Sequence, residues 1–212
     1  MAWADVKAIH GTDRVVLGPS ASYQWTHDPA HLAMALARYR AAAALIGDAR
    51  RVFEFGCGEG IGAGILATGR TAYVGVDVDR DAIRVARSIH GRREDMTFAD
   101  MNTSVERFDA AVLIDVIEHI PASEEQAVMR GLKANLVADG ILIVGTPSAA
   151  FDHLMSPSSK AGHVNTYTHV RLHALMSDHF RLVIMAGMQD TAIHFGHPDA
   201  RHYHIAVGVG PK

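Results

Sequence analysis

The chain has 212 residues, 49% of them hydrophobic, which suits one domain with a full core and is short for two. Its net charge is −3 at pH 7, and its Lys and Arg residues are dispersed, which disfavours a nucleic acid as partner. Cys57 is the only cysteine, so an internal disulfide is excluded, and no apolar run approaches the ~20 residues that span a bilayer. Since the N-terminus also lacks the pattern of a leader peptide, we expect a cytoplasmic protein.

The predicted elements begin with a long helix. Asp28 and Pro29 form the pattern of an N-cap followed by proline in the first turn, and the alanine-rich run to Ile46 favours a helix. Apolar runs that predict buried parallel strands then alternate with helical patterns. Ser123 and Gln126 have capping-box spacing before the last of these helices. The predicted strands are residues 51–55, 72–76, 96–99, 110–114 and 141–145, and the predicted helices are residues 61–68, 80–89 and 124–137.

The pattern changes after Pro147. A loop rich in Ser, Pro and Gly runs to about Asn165, and residues 169–179 predict a helix. Two strands follow at 180–185 and 202–209, and the polar connection between them predicts an antiparallel pair at the sheet edge. The sequence therefore predicts an α/β fold with a doubly wound, mostly parallel seven-stranded sheet, an antiparallel edge strand and helices on both faces.

A burst of glycines follows the first strand. Gly56, Gly58 and Gly60 lie where the chain turns from strand to helix, and their missing side chains let a ligand press against the backbone. The third glycine of a dinucleotide fingerprint would fall at Ile61, so a pyrophosphate ligand is disfavoured.

Acidic residues follow several strands at the edge where ligands of such sheets collect. Glu54 lies inside the first strand and needs a cationic or hydrogen-bonding partner, which a ligand ammonium would supply. Asp77, followed by Val78, ends the second strand, where it can accept hydrogen bonds from ribose hydroxyls. Other residues placed at the predicted ligand edge, after the third and fourth strands, are Asp100, Met101, Asp115, Glu118 and His119.

These segments together resemble class I S-adenosylmethionine-dependent methyltransferases. The matching pieces are VFEFGCGEG, YVGVDVD, FADM, FDAAVLIDVIEHI and LVADGILIVGTPS, which cover roughly residues 50 to 148. The resemblance implies a Rossmann-like fold with S-adenosylmethionine as cofactor. By the same resemblance, the turn from Gly56 to Gly60 would hold the methionine part, Asp77 the ribose, Asp100 with Met101 the adenine, and Asp115 the amino group.

The resemblance also implies how the chain is divided. We expect a single domain over residues 1–212, with an N-terminal lid and helix in 1–48, a cofactor-binding core in 49–148 and an acceptor-side region in 149–212. The flanks SYQWTHDPAHLAMALARYR and SPSSKAGHVNTYT are similar to bacterial methyltransferases of surface-polysaccharide and sugar-modification pathways. A small sugar-like or phosphorylated acceptor, methylated on oxygen, is therefore expected, and a homodimer remains open.

Two histidines are candidates for the base that a hydroxyl acceptor requires. His163 lies in the loop after the fifth strand and is our first candidate, and His119 follows the fourth strand. The alternatives are structural: His163 would fix its loop through Asn165 or Thr166, and His119 would only help to start the next helix.

A metal site is a further alternative. Asp115, Glu118, His119 and His163 could enclose a divalent cation that lowers the pKa of the acceptor hydroxyl. This sequence pattern, D/E-x-x-E-H with a later histidine, resembles that of metal-dependent RNA 3′-end methyltransferases and some quinone-precursor methyltransferases. Because Asp115 is already assigned to the amino group of the cofactor, we assign no metal.

Three residues outside the core are candidate substrate contacts. Tyr23 and Trp25 precede the first long helix and would form a lid that excludes water, or they would pack that helix onto the sheet. Lys160 would meet a phosphate or carboxylate of the acceptor, or remain a solvated loop lysine.

Rival functions are weighed against the same motifs. A nicotinamide-dependent reductase also requires an acidic residue near position 77, but the broken third glycine and the segment DVIEHI disfavour it. A nucleic-acid methyltransferase usually has N/D-P-P-Y/F after the fourth strand, where this chain has DVIEH. A fold relative that binds the cofactor without catalysis remains an alternative.

Overall fold

An eight-stranded sheet forms the centre of the protein. In the computed structural model, residues 3–11, 14–100, 107–155, 157–197 and 201–212 are described. The strand order is β3-β2-β1-β4-β5-β8-β6-β7. The strands are β1 (Arg51–Phe55), β2 (Ala72–Asp77), β3 (Met96–Asp100), β4 (Phe108–Ile114), β5 (Leu136–Pro147), β6 (Phe180–Gln189), β7 (Ala192–His194) and β8 (Tyr203–Pro211).

The first five strands are parallel, and the last three make an antiparallel edge. β8 lies between β5 and β6 and pairs antiparallel with both. The prediction of a mostly parallel doubly wound sheet with an antiparallel edge is confirmed. The sheet has one strand more than the seven predicted, because β6 turns at Asp190 and Thr191 into the short β7. Asp190 adopts a φ of 51°, the left-handed conformation that such a tight hairpin requires.

Helices cover both faces of the sheet. Asp28 caps α3 by accepting a hydrogen bond from the amide of His31, and Pro29 is the first helical residue, as predicted. Short 3-10 helices occur at Ile117–His119 and Ala149–Leu154. The α-helices are α1 (Trp3–His10), α2 (Pro19–His27), α3 (Pro29–Leu45), α4 (Ala63–Leu66), α5 (Arg80–His90), α6 (Glu125–Ala134), α7 (Pro157–Gly162) and α8 (His169–His179).

The prediction of a capping box before α6 is wrong. Glu124 occupies the N-cap, and no side chain caps the helix. The side chain of Gln126 is used elsewhere, since its Oε1 lies 2.9 Å from Nε2 of the buried His179 on α8. The helix also ends earlier than predicted, because Leu136 already pairs with Phe108 at the start of β5.

Two other predicted segments differ in length or type. α4 has only four residues, against the predicted 61–68, because the glycine turn continues through Gly62, where a Cβ would overlap the ring of Tyr39. The segment predicted as a loop from Pro147 to Asn165 contains a 3-10 helix and α7. This segment borders the carboxyl end of β5.

Two apolar layers lie on opposite faces of the sheet. One includes Ala42, Leu66 and Tyr73, and the other includes Leu113 and Met129. None of the helices in the described ranges combines the length and apolarity needed to cross a membrane. The parallel strands bring their carboxyl ends to a single edge, which places the predicted ligand residues together.

Candidate active site

The glycine loop is shaped by its backbone. Gly56, Gly58 and Gly60 adopt φ values of 82°, 51° and 76°, a region that glycine tolerates best. The amide of Gly56 donates to the carbonyl of Val76, 2.8 Å away, which ties the loop to β2. A Cβ on Gly56 would lie 2.3 Å from a methyl of Val116, whereas one on Gly58 would meet no described atom within 4 Å. The loop therefore has a packed side and an open side, as a backbone cradle for a ligand requires.

Asp77 fixes the open side of this loop. One carboxylate oxygen accepts a hydrogen bond from the amide of Gly58 at 2.8 Å, and the other accepts from the amide of Asp79 at 2.9 Å. Each oxygen has a second lone pair, so the carboxylate can still accept ribose hydroxyls. Val78 beside it is exposed, and its contact with the cofactor stays a prediction.

Asp100 lies next to Asp77 at the ends of β3 and β2, where the two residues are in register. Its carboxylate is exposed and lies 3.3 Å from the guanidinium of Arg80. Met101, predicted with Asp100 to contact the adenine, lies outside the described residues. The adenine contact therefore stays a prediction for both.

Glu54 is buried inside the sheet, only 1% exposed. The hydroxyl of Tyr73 donates a hydrogen bond to it, and Tyr39 on α3 is a second hydroxyl partner. Burial raises the pKa of the Glu54 carboxyl to about 7, although these hydrogen bonds oppose the shift. The hydrogen-bonding partners that a buried carboxyl requires are thus the hydroxyls of Tyr73 and Tyr39. Contact of Glu54 with a ligand ammonium stays a prediction.

Asp115 occupies a strained position just after β4. Its φ is 55°, and its amide donates to the carbonyl of Gly145 at 3.0 Å. Its carboxylate lies 2.6 Å from the guanidinium of Arg38, which stacks 4.1 Å above the ring of Tyr203. The second carboxylate oxygen is buried and has no hydrogen-bond partner among the described residues. Contact of that oxygen with the amino group of the cofactor stays a prediction.

Glu118 is the second buried carboxylate of the site. Thr146 on β5 donates to one of its oxygens at 3.0 Å, and its backbone carbonyl accepts from the amides of Val164 and Asn165. The other carboxylate oxygen lacks a hydrogen-bond partner within the described ranges. Burial and, next, the nearby Asp115 raise the pKa of Glu118 to about 8.

His119 and His163 meet beside Glu118. Their ring centroids lie 4.9 Å apart, and Nδ1 of His119 lies 2.9 Å from the carbonyl of Gly162. Burial, with the neighbouring His119, lowers the pKa of His163. One ligand atom each of Glu118, His119 and His163 lies within 4.8 Å of the others. We call these three residues the Glu–His–His cluster.

The candidate substrate contacts lie on the surface. Tyr23 and Trp25 on α2 are 62% and 68% exposed, and Tyr23 stacks on His27. They therefore do not pack the long helix onto the sheet, and a role as a lid stays a prediction. Lys160 is exposed on α7, three residues before His163, and its contact with an acceptor likewise stays a prediction.

Several residues of the site escaped the sequence reasoning. Arg38 and Tyr39 come from the alanine-rich α3, and Tyr73 and Thr146 come from strands. Arg38 and Tyr39 could have been noticed as a basic and an aromatic residue side by side in an alanine-rich helix. Tyr73 and Thr146 gave no signal apart from the pairing of their strands.

Comparison with known proteins identifies the family of this chain. The profile of the methyltransferase domain family matches residues 25–181, which include the glycine loop, Asp115 and the Glu–His–His cluster. The chain belongs to the methyltransferase domain family. The predictions of the methyltransferase class, of an enzyme and of S-adenosylmethionine as cofactor are confirmed.

Curated relatives of this methyltransferase match it over the central region. A protein of Mycobacterium tuberculosis named "Probable S-adenosylmethionine-dependent methyltransferase Rv3030" is 34% identical over 102 residues, 47% of this chain and 36% of that protein. A ubiquinone biosynthesis O-methyltransferase of Haemophilus ducreyi is 26% identical over 108 residues, 46% of this chain and 45% of that protein. The methyltransferase thus spans less than half the length of these relatives, and its acceptor remains a matter for proposal.

Solved structures share the fold of this methyltransferase. The methyltransferase domain of bacterial CtHen1 superposes with a TM-score of 0.68 at 19% identity, covering 84% of this chain and 100% of that chain. The N-methyltransferase NodS of Bradyrhizobium japonicum WM9, in complex with S-adenosyl-L-homocysteine, superposes with a TM-score of 0.62 at 17% identity, covering 86% of this chain and 87% of that chain. At these identities the likeness shows the fold alone.

Proposed function

We propose that this methyltransferase methylates a hydroxyl oxygen of a small polar acceptor, and that the Glu–His–His cluster holds a divalent cation that activates the hydroxyl. The observation behind this proposal is the convergence of one carboxylate and two imidazoles within 4.8 Å of one another. This donor set suits first-row divalent metals. It lies at the carboxyl edge of the sheet, where the cofactor of this family also binds.

The hydrogen bonds around the cluster support a cation. One oxygen of Glu118 and Nδ1 of His163 are buried and have no partner in the described part of the chain. Leaving such groups unpaired costs free energy, which a bound cation would recover. Nδ1 of His119 faces the carbonyl of Gly162, which is the outer contact typical of a metal-binding histidine and leaves Nε2 for the ligand bond.

Residues of the site would have different roles in this reaction. A cation at this position would lower the pKa of an acceptor hydroxyl, and S-adenosylmethionine would supply an electrophilic methyl group. Glu118 and the two histidines would orient the hydroxyl, and Arg38 would balance the charge of Asp115. The rate would come from in-line alignment of oxygen and methyl carbon in a site that excludes water.

A metal-free reaction is the second candidate. The pKa of His163 is lowered, so its imidazole is neutral near pH 7 and can accept the hydroxyl proton while the new bond to carbon forms. This candidate uses the same residue without a cation, and His119 is the alternative base. The two candidates differ in their response to chelation.

The acceptor that we propose is sugar-like or phosphorylated. Support comes from the flanking resemblance and from the exposed Lys160, which lies near His163 in sequence and suits a phosphate. Oxygen as the methylated atom is supported by the O-methyltransferase names of several relatives. A quinone-precursor or an RNA 3′ end is the alternative acceptor that the metal cluster suggests.

The test is a methyl-transfer assay on chelated protein. S-adenosylmethionine with a labelled methyl group is incubated with activated sugars, phosphorylated metabolites and a catechol, with and without added Mn²⁺ or Mg²⁺. We expect transfer to a hydroxyl only when the cation is present. Equal turnover after exhaustive chelation would leave His163 as a base without a metal. No turnover on any of these acceptors or on an RNA 3′ end, with intact binding of S-adenosyl-L-homocysteine, would point to a catalytically inactive partner subunit.

A further inference from the structure

A carboxylate of the glycine loop is bonded to the N-terminal helix rather than left for solvent or ligand. Glu59 lies between Gly58 and Gly60, and its two carboxylate oxygens accept hydrogen bonds from the amides of Ser20 and Ala21 at 2.9 Å and 3.0 Å. These amides belong to the first turn of α2, whose own N-cap is a glycine. A helix begins with amides that need an acceptor, and a carboxylate there also meets the positive end of the helix dipole.

The contact is close enough to constrain both partners. A Cβ on Gly18, the N-cap of α2, would lie 2.3 Å from the carboxyl carbon of Glu59. A side chain at position 18 would therefore displace the Glu59 carboxyl group from its present position. Ala21, one of the two bonded residues, is itself buried, so the same turn of α2 packs on the core.

The loop beside Glu59 is also tied on its other side. The amide of the preceding Gly58 donates to Asp77, so the open part of the loop lies between a bond to β2 and the bonds from α2. Farther along the N-terminal region, Tyr39 and Arg38 of α3 contact Glu54 and Asp115. The helices α2 and α3 are thus bonded directly to residues of the predicted cofactor site.

We propose that Glu59 is a positioning residue for S-adenosylmethionine. Its hydrogen bonds hold α2 against the glycine loop, so that a change in the position of one changes the position of the other. Two elements that stabilise each other respond together, and the coupling is reciprocal. Cofactor binding on the loop stabilises α2, and loss of the link weakens cofactor binding. Tyr23 and Trp25 lie on the same helix and are exposed. This inference rests on the cofactor class of the family and not on the proposed acceptor.

The experiment separates coupling from simple helix capping. The variants are Glu59→Ala and the double variant Glu59→Ala with Gly18→Ser, in which serine at the N-cap replaces the lost acceptor locally. Removal of the Glu59 carboxylate leaves room for the new side chain. Glu94→Ala removes an exposed carboxylate far from α2 in sequence and serves as the matched control. Binding of S-adenosyl-L-homocysteine is measured by calorimetry, and hydrogen exchange of α2 amides is measured with and without this ligand.

We expect both variants that lack Glu59 to bind the ligand about tenfold more weakly, as loss of charge-assisted hydrogen bonds predicts. Ligand should slow exchange in α2 in the wild type and the control, and in neither Glu59 variant. Glu59→Gln, which keeps one acceptor oxygen, should fall between wild type and Glu59→Ala. Wild-type affinity or wild-type coupling in the double variant would overturn the proposal and reduce Glu59 to a helix cap.

Discussion

The glycine loop after β1 and the Glu–His–His cluster after β4 lie on the same sheet edge but are built in different ways. The loop makes its shape from backbone, with three glycines in left-handed conformations and amides bonded to β2. The cluster is made of side chains, and His163 reaches it from a segment 44 residues beyond His119. We therefore expect the backbone loop to bind the cofactor that the family shares, and the side-chain cluster to determine the reaction with the acceptor.

The two regions also differ in electrostatics. Each carboxylate oxygen of Asp77 accepts one hydrogen bond from a backbone amide, of Gly58 or of Asp79. Glu118 is buried with one unpartnered oxygen, and its pKa is raised to about 8. Perturbed groups of this kind concentrate where chemistry occurs. We therefore expect substitutions in the loop to affect cofactor binding and substitutions in the cluster to affect turnover.

The largest effect should come from the cluster. We predict that Glu118→Gln and His163→Ala each lower methyl transfer by about 1,000-fold, within the range for loss of a group that activates a hydroxyl. Binding of S-adenosyl-L-homocysteine should stay within about threefold of wild type, because neither residue belongs to the loop. Turnover and calorimetry on the same preparations check this. His173→Ala, on the exposed side of α8, is the control and should leave both measurements unchanged.

A change in the loop should give the reverse pattern. Gly56→Ala places a methyl 2.3 Å from Val116 and adds left-handed strain, so we predict about 100-fold weaker ligand binding. Gly69→Ala is the matched control, since Gly69 has a φ of 72° but no described atom near its Cβ position. It should lower the thermal midpoint modestly and leave ligand affinity intact. Similar losses in both variants would mean that backbone strain alone, and not the packed side of the loop, determines affinity.

The raised pKa of Glu118 predicts a fall in stability with pH. The folded state holds this proton up to about pH 8, whereas the unfolded carboxyl releases it near 4.5. The folded state therefore binds more protons, and stability is lost as pH rises through about 8, by up to about 1.4 kcal/mol per pH unit. Thermal unfolding of chelated protein from about pH 6.5 to 8 measures the slope.

Two variants show which carboxylate causes that slope. Glu118→Gln should make the fall shallower, whereas Glu94→Gln, at an exposed carboxyl, should reproduce the wild-type slope. Glu54, with its pKa raised to about 7, accounts for the part that Glu118→Gln leaves. A flat wild-type profile would contradict the burial of two protonated carboxyls.

The smallest effect should come from the surface of the acceptor side. We predict that Lys160→Ala raises the KM for a phosphorylated acceptor about threefold, as expected for an exposed ion pair, and leaves kcat unchanged. Ligand binding on the loop should not respond. An equal change for a neutral acceptor would exclude a phosphate contact for Lys160.

Local patterns in the sequence predicted the parallel strands and the glycine turn of the molecule. Apolar runs predicted the five parallel strands, and Asp28 with Pro29 predicted the start of α3. The glycines at 56, 58 and 60 predicted the turn that the structure contains. Each of these signals depends on neighbours within a few residues, which is why the sequence alone displays them.

Distant contacts explain what the sequence did not show. Gln126 fails to cap α6 because it contacts His179, 53 residues away. Arg38 reaches Asp115 across 77 residues, and Glu59 meets Ser20 across 39. The sequence did indicate Glu118, His119 and His163 as metal-binding residue types. Whether they come together depends on how α7 and the 3-10 helix fold beside β5. Contacts between residues far apart in the chain produce no periodic pattern in the sequence, so the sequence did not predict them.

The most direct test of the account is a calorimetric titration of chelated protein with Mn²⁺ in the presence of S-adenosyl-L-homocysteine. The account predicts about one site per chain in the wild type, loss of that site in Glu118→Gln and His163→Ala, and no loss in His173→Ala. Absence of binding in the wild type, or binding that survives both cluster substitutions, would contradict the assignment of a divalent cation to the Glu–His–His cluster.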